Sequence, residues 1–131
     1  MTILIVGGIF MQKHILVVDD DAMNLKRTKM ILEKQYDVLL AESGREALKK
    51  ISGKKIDLIL LDIAMPEMDG IETFRRMKED YLLDTPVIFL TASGDEDDVL
   101  NAISLGAVNY LKKPFLPQEL LKRVAMGLEK K

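Results

Sequence analysis

The sequence predicts an α/β domain whose core is one parallel sheet of five strands with helices on both faces. Apolar runs of strand length alternate five times with longer segments whose apolar residues recur at helical spacing. Strands that alternate with helices in this way lie parallel, and their right-handed crossovers carry helices to both faces of the sheet. The run at 56–61 is apolar at almost every position, as expected for a central strand covered on both faces.

Composition limits the classes of protein to which the chain can belong. A length of 131 residues with 48% hydrophobic residues predicts one globular domain with its own core. The net charge is −2 with acidic and basic residues mixed, which argues against direct binding of nucleic acid. With no cysteine, disulfides and thiolate metal sites are excluded, and we expect a reducing, cytoplasmic compartment. No apolar run reaches the roughly 18 residues of a membrane span.

The first ten residues, MTILIVGGIF, stand apart from the repeating pattern. They are apolar but lack the positive charge and the small-residue cleavage site of a signal peptide. We expect residues 1–10 to be an extension that is dispensable or non-native, and the domain proper to span 11–131. If the extension folds, residues 3–6 add a further β segment, which would be a liability for dimerisation or aggregation when exposed.

The helix and strand boundaries follow from local signals along the chain. Ser43 and Glu46 form a capping box that predicts a helix start, and Gly53 predicts the end of that helix. Pro117 is a favourable first-turn residue for the last helix. The strands are predicted at 15–18, 36–41, 56–61, 87–90 and 107–111. The helices are predicted at 22–34, from after the Ser43 cap to 53, from after Gly70 to 80, at about 95–105 and from 117 onward.

Polar residues follow four of the five predicted strands at the point where each strand ends. Three carboxylates, Asp19–Asp21, follow the first strand, Asp62 ends the third, Thr91 the fourth, and Lys112 and Lys113 the fifth. The carboxyl ends of parallel strands meet at one edge of a sheet, so these groups should converge. Carboxylates from adjacent strands suit Mg²⁺, which also accepts phosphate oxygens, and a lysine supplies a compact positive charge.

Such a site suits phosphoryl transfer, in which catalysis is mostly positioning and charge neutralisation. The strand ends offer no serine, histidine or cysteine nucleophile, but a carboxylate can itself form an aspartyl phosphate. Asp62 fits this role best because it stands alone at the end of the central strand. Asp19 and Asp20 are adjacent and better placed to share a metal, and Asp21 reads as a helix-start charge.

Four segments, ILVVDDD, LILLDIAMPEMDG, VIFLTAS and YLKKPF, resemble the signatures of the receiver domain of two-component response regulators. The resemblance covers about residues 11–131 and implies a flavodoxin-like fold with strand order 2-1-3-4-5. It implies that a sensor histidine kinase or a histidine phosphotransfer protein donates a phosphoryl group to Asp62 in a Mg²⁺-dependent reaction. It further implies signalling by protein contact through the last two helices and the fifth strand.

The resemblance also implies roles for individual metal-site residues. Asp62 matches the phosphoacceptor and a metal ligand, Asp20 the direct Mg²⁺ ligand, and Asp19 a ligand acting mainly through water. The main-chain carbonyl of Ala64 would complete the protein ligands.

Further matches concern the lysine and the switch. Lys113, rather than Lys112, matches the lysine that pairs with the phosphoryl group, and its bond to Pro114 is expected to be cis. Thr91 and Tyr110 match a switch pair in which the hydroxyl moves to the phosphoryl oxygen and the aromatic ring turns inward.

Leu116 departs from expectation at the start of the last helix. Leucine is a poor N-cap, so Leu116 and Phe115 are expected to form an apolar spot near the face that receivers use for partners.

Other functions are weighed against this one. A haloacid-dehalogenase-type phosphatase also uses an aspartate nucleophile, but its Asp-x-Asp-x-Thr motif would place threonine where Met23 stands. A receiver used only as a scaffold is not favoured, because no site residue is missing. We expect no enzymatic turnover beyond self-phosphorylation and slow self-dephosphorylation, an unknown downstream protein target, and scope for a phosphorylation-dependent homodimer. The length fits a stand-alone regulator or a receiver cut from a longer regulator or hybrid kinase.

Overall fold

The computed structural model describes residues 4–6, 9–92 and 96–129. Seven strands and five helices occur within these ranges. No helix in the described part of the chain combines the length and the apolar character needed to cross a bilayer. In chain order the elements are β1 (Leu4–Val6), β2 (Ile9–Met11), β3 (His14–Val18), α1 (Ala22–Leu32), β4 (Asp37–Ala41), α2 (Gly44–Gly53), β5 (Leu58–Asp62), α3 (Gly70–Glu79), β6 (Val87–Thr91), α4 (Glu96–Ser104), β7 (Asn109–Lys112) and α5 (Pro117–Glu129).

The five strands from β3 onward form one parallel sheet in the order β4-β3-β5-β6-β7. Counted from β3, this order is 2-1-3-4-5, so the predicted topology is confirmed. β1 and β2 form a separate antiparallel pair in which Ile5 faces Phe10. The expected extra β segment therefore forms, and the pair extends to Met11, one residue beyond the predicted boundary of the extension. Whether residues 1–10 are dispensable stays a prediction.

Apolar side chains cover both faces of the sheet, as the continuous apolar runs predict. β5 and β6 are buried at every position because helices lie on each side of them. Phe74 of α3 meets Phe89 of β6 edge to face with ring centroids 5.3 Å apart. The α1 and α5 side of the core contains Ile15, Val17, Leu25, Leu32, Leu58, Leu60, Leu120 and Val124, and the α2, α3 and α4 side contains Leu16, Val18, Ala47, Ile59, Leu61, Phe74, Met77 and Ala102.

Side-chain hydrogen bonds cap α1 and α2, and they confirm the predicted Ser43 cap. The Asp21 carboxylate accepts from the backbone N–H groups of Met23 and Asn24 and caps α1. The Ser43 hydroxyl accepts from the N–H of Glu46, at 3.1 Å, and caps α2.

The boundaries that differ from the sequence prediction by two residues are the end of α1 and the starts of β5 and β7. α1 ends at Leu32 rather than at 34, since the Leu32 carbonyl accepts from the N–H groups of both Gln35 and Tyr36 in a tight turn. β5 begins at Leu58 rather than at 56. β7 begins at 109 rather than at 107, because the N–H of 107 still bonds back to a carbonyl of α4.

The segment before α5 differs in part from expectation. The Leu116 N–H donates to the Glu119 carboxylate at 3.0 Å, so this helix start is capped through the glutamate. Leu116 is 56% exposed, as expected for a surface spot. The expectation that Phe115 shares this spot is wrong, because its ring is only 5% exposed and packs in the core beside α1 and α5.

Gly70 begins α3 where no side chain fits. A Cβ atom at this position would lie 2.2 Å from the Asp62 carbonyl oxygen and 2.8 Å from the Ile63 Cα atom. The Gly70 N–H also donates to the Ile63 carbonyl at 2.8 Å, which holds the helix start against the end of β5. The close approach of α3 to Asp62 therefore requires glycine.

We predict that Gly70→Ala lowers the free energy of unfolding by about 1–3 kcal/mol, because backbone at the end of β5 must move to admit the methyl group. Gly53→Ala is the matched control: it lies at the end of α2, where a Cβ atom meets nothing within 4 Å. The control should raise the free energy of unfolding by up to about 1 kcal/mol. Urea denaturation measures both values, and similar effects at the two glycines would contradict the close approach.

Candidate functional site

The end of β3 and the end of β5 bring carboxylates together at the carboxyl edge of the sheet. The two strands pair in parallel with Val18 beside Leu61, so Asp19 and Asp62 follow at neighbouring positions. Both are buried, at 2% and 3% exposure, whereas Asp20 is exposed. One carboxylate oxygen from each of Asp19, Asp20 and Asp62 lies within 4.8 Å of the others. We call these three residues the acidic cluster.

Asp21 does not belong to the acidic cluster, although it continues the run of carboxylates. Its side chain caps α1, and its own N–H donates to the Asp19 carboxylate at 3.0 Å. Asp19 is further held by its N–H, which donates to the Ala41 carbonyl of β4 at 3.1 Å. The cap therefore also orients the neighbouring carboxylate of the cluster.

Lys113 supplies the positive charge that the acidic cluster needs. Its Nζ atom lies 3.1 Å from an Asp19 oxygen and 3.2 Å from an Asp62 oxygen. Its backbone N–H donates to the Thr91 carbonyl at 2.7 Å, which ties the segment after β7 to the end of β6. Lys112 is exposed, and Lys113 is the one of the two lysines that contacts the acidic cluster. The Lys113–Pro114 peptide bond is cis.

The pKa values of Asp62 and Lys113 are set by burial and by the charges of the neighbouring side chains. Burial raises the pKa of Asp62 from 3.8 to about 6; Lys113 opposes this rise, while Asp19 and Asp20 add to it. Burial alone would lower the pKa of Lys113, but the carboxylates of Asp62 and Asp19 outweigh burial and raise it. At neutral pH the carboxyl of Asp62 is therefore mostly ionised, and it shares the ammonium group of Lys113 with Asp19.

The geometry of the acidic cluster fits a hard divalent cation. The Oδ1 atom of Asp62 is buried and has no aligned hydrogen-bond donor among the described residues, and its contact with Lys113 is an ion pair only. Oxygen ligands with excess negative charge are the environment that Mg²⁺ prefers, especially where one ligand is exposed to water. Asp19, Asp20 and Asp62 therefore form a donor set suited to Mg²⁺.

The other predicted site residues lie at different depths. Thr91 is the last residue of β6 and is 4% exposed, on the strand next to the one that ends in Asp62. Ala64 is exposed, two residues after Asp62. Tyr110 of β7 is 39% exposed, and the Arg123 guanidinium lies 6.0 Å from its ring centroid, so the ring is at the surface.

Two residues near the site were missed by the sequence analysis. Gly70 was predicted to lie in the loop before the third helix, and nothing local indicated its approach to the Asp62 carbonyl. Arg27 of α1 donates from Nη2 to the Phe115 carbonyl at 2.8 Å, across 88 positions of sequence. No local pattern could have indicated that second contact.

We predict that Asp62→Asn raises the free energy of unfolding at pH 7 without divalent cations by about 1–2 kcal/mol. The raised pKa of Asp62 means that ionising this carboxyl costs folded-state stability, and the magnitude allows for water at the exposed edge of the cluster. The gain should be complete above about pH 6 and should disappear below about pH 4, where folded and unfolded parent chains both hold the proton.

Urea denaturation across this pH range measures the effect, with exposed Asp84 changed to asparagine as the control. Asp84→Asn should leave the pH dependence of the parent unchanged. A gain for Asp62→Asn that is equally large at pH 4 and pH 7 would contradict a raised pKa.

Comparisons with known proteins agree with this geometry. A family model described as the response regulator receiver domain matches residues 15–125. The transcriptional regulatory protein CrdR of Helicobacter pylori is 44% identical over 115 residues, which are 87% of this chain and 54% of the relative. For the regulatory protein PhoP of Bacillus subtilis, the identity is 43% over 87% of this chain and 48% of the relative. The chain thus spans about half the length of these curated relatives.

Solved structures show the same fold. A CheY-like receiver domain protein from Methanospirillum hungatei has a TM-score of 0.85 and 32% identity, covering 92% of this chain and 96% of its own. The signal receiver domain of a putative LuxO repressor from Vibrio parahaemolyticus also has a TM-score of 0.85, with 30% identity and 92% coverage of both chains. With its CheY-like, flavodoxin-type sheet and a family match over most of its length, the chain belongs to the receiver domains of two-component response regulators.

Proposed function

We propose that this receiver domain is a phosphoacceptor switch in which Asp62 accepts a phosphoryl group in a Mg²⁺-dependent reaction. The donor is a sensor histidine kinase or a histidine phosphotransfer protein. The observation that carries the proposal is the acidic cluster bridged by Lys113, with Asp62 on the central strand. Receiver domains of two-component systems signal through phosphorylation, and this site contains a suitable nucleophile and its counter-charge.

Asp62 is the nucleophile in this proposal. An oxygen of its carboxylate attacks the phosphorus of the donor, the phosphorus–nitrogen bond of a phosphohistidine breaks, and the departing imidazole nitrogen takes its proton from solvent. A pKa of about 6 leaves the carboxyl mostly ionised, and therefore nucleophilic, at neutral pH. The Asp62 carboxylate is itself buried, which strengthens the electrostatic interactions around the reacting oxygen.

The acidic cluster would hold the Mg²⁺ ion. Asp20 is proposed as a direct ligand together with Asp62, Asp19 as a ligand through water, and the Ala64 main-chain carbonyl as a further ligand. When bound, the ion supplies positive charge against the phosphoryl oxygens. Lys113 already contacts Asp62, so its ammonium is placed to exchange a carboxylate partner for a phosphoryl oxygen, which is a charge-assisted contact.

Thr91 and Tyr110 are proposed to transmit the modification. The hydroxyl of Thr91, at the end of the strand next to Asp62, would turn to a phosphoryl oxygen. Tyr110 would then leave the surface position that it occupies in this structure and move its ring inward. A phosphoryl group on Asp62 can favour the arrangement with Thr91 turned towards it and Tyr110 inward, because it interacts only with that arrangement.

The proposed output surface consists of α4, β7 and α5. Several of the large exposed apolar side chains in the described part of the chain lie on these three elements, which supports a protein partner or a second copy as the reader of the switch. They are Leu100, Ile103, Tyr110 and Met126.

The proposed partners of this domain are proteins. The net charge of −2 supports contact with proteins rather than direct contact with nucleic acid. The names of several relatives refer to transcriptional regulation, and this chain corresponds to only about half of their length.

We propose a cytoplasmic location and no turnover beyond slow loss of the phosphoryl group from Asp62. Met23, which replaces the threonine of the phosphatase motif, is 78% exposed and offers no hydroxyl to the site.

Incubation with a small phosphoramidate and Mg²⁺, followed by intact mass measurement, tests the proposal. We predict one acid-stable, base-labile phosphoryl group on the parent and none on Asp62→Asn. Asp21→Asn is the matched control, because it removes a carboxylate from the same run while asparagine preserves the α1 cap. This control should be modified like the parent.

Equal modification of the parent and Asp62→Asn would overturn the assignment of Asp62. Light scattering on the same samples tests the output surface: a dimer that forms only after modification, and that Ile103→Glu prevents, supports a second copy as the reader. A monomer in all samples would exclude the homodimer and leave a different protein as the reader.

A further inference from the structure

The segment that carries Lys113 is held by a second element, helix α1. Residues 113–116, which we call the Lys113 loop, connect β7 to α5. Arg27 of α1 donates from Nη2 to the Phe115 carbonyl at 2.8 Å, and its guanidinium carbon lies 5.0 Å from the centroid of the Phe115 ring. One side chain therefore contacts both the backbone and the ring of the residue two positions after Lys113.

These contacts are of the kind that fixes a loop in place. A hydrogen bond from a charged guanidinium to a carbonyl is stronger than a neutral one, and a cation over an aromatic face adds to it. The Phe115 ring is 5% exposed and packs in the core. The Arg27 guanidinium therefore contacts a side chain that is itself held in place by the core. At the other end of the loop, the Lys113 N–H is bonded to the Thr91 carbonyl. The backbone around Lys113 is thus anchored on both sides.

The reach of the Lys113 side chain depends on where this backbone lies. Its Nζ atom bridges Asp19 and Asp62, which belong to two different strands, so a small shift of the loop would change both distances. α1 begins at Ala22, after the Asp21 cap that follows Asp19 and Asp20, and Arg27 extends from this same helix to the loop. Arg27 therefore couples the element that follows the carboxylates to the segment that carries their counter-charge.

We propose that Arg27 is a positioning residue for phosphoryl transfer to Asp62, acting through Phe115 to set the location of the Lys113 ammonium. The inference rests on the proposed function and adds to it a residue outside the acidic cluster. Arginine suits this role better than lysine because its planar group can donate to a carbonyl and lie over a ring at the same time.

The test measures the rate of Asp62 phosphorylation at saturating phosphoramidate and Mg²⁺. Arg27→Ala should lower this rate about tenfold, since small misplacements of a catalytic group have effects of that order or larger. Arg27→Lys should give an intermediate rate. Lys26→Ala, which removes the same charge from the adjacent exposed position of α1, should match the parent. The dissociation constant for Mg²⁺, measured by calorimetry, should stay unchanged in all three variants.

A second background separates positioning from general structural support. In Lys113→Ala, which we expect to be modified slowly, Arg27→Ala should cause no further decrease, because the group that Arg27 positions is gone. A decrease of the same factor in both backgrounds would overturn the inference. If Arg27→Ala does not fold, Arg27→Lys in the two backgrounds decides by the same criterion.

The outcomes distinguish this inference from the proposed function. A parent that accepts no phosphoryl group overturns the proposed function and this inference with it. A parent that is modified at Asp62, together with an unchanged rate for Arg27→Ala, overturns the role of Arg27 alone.

Discussion

The ion pairs of Lys113 with Asp19 and Asp62 are the interaction on which the arrangement of the site depends. Two carboxylates buried at the end of a sheet would be strongly unfavourable without a partner, because charge is costly to remove from water. A single ammonium contacts both of them, at 3.1 and 3.2 Å. Asp20 remains exposed and hydrated, so the site keeps an excess of negative charge that a divalent cation can use.

The fold brings these groups together through backbone contacts that leave little freedom. Parallel pairing of β3 and β5 sets the spacing of Asp19 and Asp62, and the bond from the Lys113 N–H to the Thr91 carbonyl sets the position of the lysine. On the opposite side, Gly70 brings α3 against the Asp62 carbonyl. The nucleophile that we propose is therefore held by its own strand, by a neighbouring strand and by a helix. Such rigidity is what phosphoryl transfer needs, since positioning supplies much of the catalysis.

The convergence of Asp19, Asp62 and Lys113 could be predicted from the sequence because polar residues interrupt apolar runs only where strands end. In a parallel sheet those ends meet at one edge, so position along the chain translates into proximity. Asp21 was predicted as a helix-start charge, and in the structure its carboxylate caps α1. The roles assigned to Thr91, Tyr110 and Ala64 came from family resemblance, and they stay predictions.

Features that depend on contacts between different helices, strands and loops could not be predicted from the sequence. Gly70 carries no sign that its missing Cβ matters until α3 is packed against β5. Phe115 looked like a surface residue because its packing in the core beside α1 and α5 depends on how these elements come together. The start of β7 was misplaced for a similar reason, since a hydrogen bond back to α4 delays the strand. Each miss involves a contact between elements that a local pattern does not encode.

A double-mutant cycle of unfolding free energies tests most directly whether Lys113 compensates the acidic cluster. Lys113→Met should lower the free energy of unfolding at pH 7 without divalent cations by about 1–3 kcal/mol, less than for a fully buried pair because the lysine side chain keeps 16% exposure. In the Asp62→Asn background the same substitution should cost clearly less, since one of the two carboxylates that Lys113 contacts is already neutral. Equal losses in the two backgrounds would show that Lys113 does not compensate Asp62 and would contradict the account.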